Sequence, residues 1–60
     1  MKQANLLKAA REMIKATNYR AAMMISGSPE QREFATDKFW EAHDNLGKAI
    51  AEAENENQDR

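Results

Sequence analysis

Apolar side chains along the first half of the chain fall at Leu7, Ala10, Ile14, Thr17, Ala21 and Met24. The steps alternate between three and four, the spacing of a heptad seam, with Thr17 as its one polar member. Leu6 and Met13 widen this stripe on one side and Ile25 on the other. Ala, Leu, Met, Lys, Arg and Gln dominate the segment, and all favour helix. The pattern predicts a first helix over about residues 3–26. In the second half, Ala35, Phe39, Ala42, Leu46, Ala49 and Ala53 repeat the alternation, predicting a second helix over about 29–54. A second row runs beside that seam: Thr36, Trp40, His43, Gly47 and Ile50.

Between the two patterns stands Gly27-Ser28-Pro29-Glu30-Gln31. Gly27 is suited to close the first helix in the left-handed conformation. Ser28 can cap the second helix, Pro29 suits its first position, and Gln31 completes a Ser-x-x-Gln capping box. Glu30 and Glu33 suit the positive end of the helix dipole. A two-residue connection at 27–28 makes the helices antiparallel neighbours. One long kinked helix is the competing reading, with Gly27 and Pro29 inside it. The expected fold is all-α: a helical hairpin over residues 1–54, followed by a polar, disordered tail over 55–60.

The combined apolar face of the second helix is wider than one partner helix covers. A lone hairpin would leave Tyr19, Met23, Phe39 and Trp40 partly wet. With only 60 residues, a single core is marginal. Cysteine is absent, which removes disulfides, thiolate zinc sites and iron–sulfur clusters. Self-association is the remaining remedy, so the hairpin is expected to dimerise into a four-helix bundle or form a higher oligomer. The residues expected at that interface are Leu7, Ile14, Met24, Phe39, Trp40, His43, Leu46 and Ile50. The small residues along both seams permit close helix approach.

Composition excludes several function classes. The longest apolar run, Ala21–Ile25, is far short of a membrane span. Charged residues interrupt any secretory core near the N-terminus, and the lack of cysteine fits a cytoplasmic protein. A transit peptide or an interfacial helix would also describe the basic first 26 residues, but would leave the apolar stripe of the second helix unexplained. His43 is the single histidine, and Trp40 three residues before it breaks the Glu-x-x-His pattern of di-metal bundles. The only glycines are Gly27 and Gly47, so no phosphate-cradling loop is present. Ser26 and Ser28 are accounted for by the helix junction. A hairpin this small is also expected to lack a cleft of several hundred cubic ångströms. No enzyme activity, cofactor or metal is expected.

Charge is segregated. Residues 1–26 carry five cations against Glu12 alone, a net of +4; residues 27–60 carry four against nine acids, a net of −5. Lys8, Arg11, Lys15 and Asn18 step by three and four and share one face, a row able to track a phosphate backbone. The plainer reading is a solvated face, or pairing with Glu41, Asp44 and Glu52 across a bundle. The layout is similar to that of the Rop-type plasmid copy-number regulators, cysteine-poor helical hairpins that dimerise and bind paired RNA loops. That resemblance covers the helix–turn–helix plan of nearly the whole chain and carries no sequence motif, so no residue role transfers with it. It implies a structured-RNA partner for the basic stripe.

Phe34, off the main seam of the second helix, has two readings: it folds over the turn onto Met24 or Ile25, or it anchors another protein. Tyr19 and Met23 are further candidates for partner contact. The leading expectation is a non-enzymatic interaction protein, a regulator, inhibitor or accessory factor. It binds itself and another protein, and a structured-RNA regulator is the alternative.

Overall fold

The computed structural model describes residues 2–58, with side-chain environments for 4–55. Two helices, α1 (Lys2–Ser26) and α2 (Pro29–Gln58), pack side by side as an antiparallel hairpin. The Cα trace is a rod 49 Å long and 13 Å across. Helix α2 runs on through the polar stretch 55–58 that the sequence predicts as a disordered tail. Nothing in Ala51-Glu52-Ala53-Glu54 breaks a helix. Residues 59–60 of that tail lie outside the described residues.

The junction forms the capping box in full. The Ser28 backbone N–H donates to Gln31 Oε1 at 2.8 Å, and the Gln31 N–H donates to Ser28 Oγ at 3.2 Å. The Arg32 N–H reaches the Ser28 carbonyl at 2.9 Å, starting the α2 ladder, with Pro29 where no donor is missed. Gly27 departs from expectation. It does not adopt positive φ; its N–H instead donates to the Met23 carbonyl at 2.8 Å, adding one more helical bond to α1. Space, rather than a left-handed conformation, demands glycine here, because a Cβ at Gly27 would stand 2.6 Å from the Met23 carbonyl oxygen.

The interhelical seam is the second correction. On α2 it follows the predicted row: Ala35, Ala42 and Ala49 are buried, with Phe39, Leu46 and Ala53 half-buried beside them. On α1 the line facing α2 is Leu6, Ala9, Met13, Ala16, Arg20 and Met23, all half-buried. The row Leu7, Ala10, Ile14, Thr17, Ala21 and Met24 is turned away by about 100°, one residue's rotation. Leu7 stays 59% and Ile14 61% exposed. The reason is size. Ala9 and Ala16 oppose Ala49 and Ala42 across the grooves between the helices, and methyl-sized side chains let two helices approach closely. Thr17 is no polar gap in a seam; its hydroxyl donates to the Met13 carbonyl at 2.8 Å on the outer surface.

Candidate functional site

The hairpin has two unlike flanks. One is polar. Asn5, Lys8, Glu12 and Lys15 of α1 line the same troughs as Glu41, Asn45, Lys48 and Glu52 of α2. Two troughs of about 320 and 290 Å³ run between them. They correct the expectation of no space on this scale, though both are open to solvent along their length. Lys8, Arg11, Lys15 and Asn18 are all exposed, as the shared face predicts. The cations are not isolated: Lys15 Nζ lies 4.0 Å from Glu12, and Glu41 and Glu52 stand across the troughs. Among the described residues no ion pair crosses between the helices; Lys38 pairs with Glu41 on its own helix at 3.5 Å. Asp44 does not face α1, and its carboxylate sits 3.9 Å from His43 Nδ1. Exposed pairs of this kind stabilise by about 0–1 kcal/mol.

An aromatic pair marks the turn end of this polar flank. The Tyr19 and Phe34 rings meet edge to face with centroids 6.3 Å apart, and Lys38 Nζ lies 5.5 Å from the Phe34 centroid. Phe34 therefore packs on Tyr19, not on Met24 or Ile25, and it keeps 54% of its surface exposed. Met23 is half-buried beside the turn, on the intrachain seam, and offers less to a partner than its neighbours.

The opposite flank is apolar. By the 100° step of a helix, Ala10, Met13, Thr17 and Met24 of α1 lie there with Phe39, His43, Leu46 and Ile50 of α2. Leu7 and Ile14 form its rim on α1, and Trp40 its rim on α2. The rings of Phe39, Trp40 and His43 run in edge-to-face sequence at 5.3 and 5.4 Å. All the residues expected at an oligomer interface fall on this flank or its rim, and none is fully buried by the hairpin itself.

No family model, curated protein or solved structure significantly matches this chain. The similarity to Rop-type regulators accordingly rests on the helical plan alone.

Two residues on the apolar flank carry no role in the sequence reading, which places Gly47 in the second row of α2 and leaves Arg20 out of the seam. Arg20 occupies the seam; its guanidinium carbon lies 5.0 Å from the Phe39 centroid, and its Nε donates a long 3.5 Å bond to Thr36 Oγ1. The signal available in the sequence was a charge on a heptad position. Gly47 stands in mid-helix, where glycine costs about 1 kcal/mol relative to alanine. A Cβ there would meet nothing within 4 Å. Nothing inside the hairpin requires that glycine. Among the described residues no helix is long and apolar enough to cross a membrane, and no three acidic or histidine side chains gather to hold a metal ion.

Proposed function

We propose that this chain is a non-enzymatic interaction protein that pairs with a second copy through its apolar flank, giving a four-helix bundle that then binds another protein. One observation carries the reading. Among the described residues the hairpin buries only Ala35, Ala42 and Ala49, while Leu7, Ile14, Met24, Trp40 and Ile50 remain 42–61% exposed. Apolar surface left in water forgoes about 25 cal/mol for every Å² that a second layer would cover. Gly47 supports the same reading, since a bare backbone on this flank suits close approach by a neighbouring helix.

Sedimentation across a concentration series, with circular dichroism at each point, tests the pairing. Wild-type chain is expected as a helical dimer at low micromolar concentration. Gly47→Leu is expected to keep its helix at high concentration yet weaken the dimer at least tenfold. A folded monomer for wild type would overturn the proposal.

In such a dimer the Tyr19–Phe34 pair, on the other flank, stays available to a further protein. Phe34→Ala is expected to abolish capture of that protein with dimer mass unchanged; intact capture would count against this surface. The alternative, RNA binding through Lys8, Arg11, Lys15 and Asn18, has less support, because Glu12, Glu41 and Glu52 share the flank with the cations. Retention of structured RNA that falls steeply with salt, and is lost in the triple Lys8→Glu, Arg11→Glu, Lys15→Glu variant, would favour it instead.

A further inference from the structure

The apolar flank carries few permanent charges among residues 4–55, and they are placed asymmetrically. Arg20 and Arg32 lie towards the turn, and Glu54 continues the row Thr36, Trp40, His43, Gly47, Ile50 at the other end. Among residues 4–55 none of the three takes part in an ion pair. Arg20 has no acid at three or four residues to either side, and Glu54 has no base there. The Arg20 guanidinium is spread over Phe39 with only its Nε engaged, by Thr36. No other side-chain hydrogen bond of Arg20 forms among the described residues.

Resting on the dimer proposed above, we infer that the two copies pack antiparallel, turn against tail, and that Arg20 of each binds Glu54 of the other. The lengths agree. At about 1.5 Å per residue, Arg20 stands roughly 10 Å from the turn and Glu54 roughly 39 Å from it. When two 49 Å rods overlap fully end for end, a partner residue 39 Å from its own turn comes level with one about 10 Å from the other turn. Arg20 also leans across onto α2, the helix that a two-fold axis perpendicular to the rod sets against α2 of the second copy. A parallel dimer would instead gather the arginines of both copies at one end and both Glu54 carboxylates at the other. Like charges gathered in an apolar interface are unfavourable. Arg20 thus selects orientation rather than merely adding affinity.

Sedimentation of four full-length chains tests this: wild type, Arg20→Glu, Glu54→Arg, and the double swap. Each single change is expected to weaken the dimer roughly tenfold or more, with the double swap recovering most of the loss. A wild-type dimer whose single variants are unaffected, or whose double swap loses as much as the two singles together, overturns the pair and leaves the dimer standing. A wild-type monomer overturns the dimer itself. Orientation is read separately with Arg20→Cys and Glu54→Cys chains mixed and treated with a short bismaleimide. Crosslinks between unlike chains are expected, whereas Arg20→Cys chains joined to each other would establish the parallel arrangement and overturn the inference.

Discussion

Replacing Ala42 by aspartate is expected to unfold the hairpin, while the same replacement at Ala51 leaves it helical. Ala42 is 8% exposed, at the middle of the line where α2 meets α1. Ala51 lies on the exposed back of the same helix. The intrinsic helix penalty of alanine to aspartate, about 0.5–0.7 kcal/mol, is common to both sites. At Ala42 the carboxylate must in addition be partly desolvated where the two helices meet, beside Ala16 at the edge of a solvent-open trough. That partial burial adds about 1–3 kcal/mol. A domain this small has little stability to lose. The measurement is helical ellipticity during urea titration at fixed concentration. Equal midpoints for the two variants would mean that the alanine line is not the core.

Gly27→Ala is the second large effect expected, a loss of about 1–3 kcal/mol from forcing a methyl into filled space. The added Cβ would lie 2.6 Å from the Met23 carbonyl oxygen and 3.1 Å from the Met23 Cβ. The obstacle is backbone, so no side-chain rotation relieves it. Relief requires the last turn of α1 to shift, which disturbs the 2.8 Å bond from the Gly27 N–H to that carbonyl. At concentrations below dimer formation Gly47→Ala is the control, because within the single hairpin open space surrounds that position and alanine is the better helix former. Thermal melts at that dilution should place Gly27→Ala below wild type and Gly47→Ala at or above it. No loss at Gly27 would show that the turn accommodates a side chain readily.

Much of this structure is legible along the chain because its signals are local. The capping box needs only Ser28 and Gln31 at the right spacing, and both of its hydrogen bonds form. The α2 seam is readable because alanine recurs every seven residues, at 35, 42 and 49, where only one line fits. The Gly27 conformation is less legible. Glycine at a helix end satisfies either a left-handed cap or a crowded turn, and the sequence is identical in both cases.

The candidate surfaces divide in the same way. Residue types and periodicity place Phe39, His43, Leu46 and Ile50 together, and Lys8, Arg11 and Lys15 together, since a helix maps spacing onto faces. The contacts between helices are not encoded so directly. Tyr19 meeting Phe34, and Arg20 lying over Phe39, depend on register across the hairpin.

The sequence by itself determined two helices, their hinge, their antiparallel order and an apolar arc wider than one neighbour can cover. Only the tertiary structure decided which edge of the α1 arc faces α2. Two rows with heptad spacing lie one residue apart there, and periodicity weights both alike. Closest approach selects between them: the row containing Ala9 and Ala16 meets the alanines of α2, and the bulkier row of Leu7, Ile14 and Met24 is left outside. Packing distance between two helices is a property of pairs of side chains, and no single helix carries it.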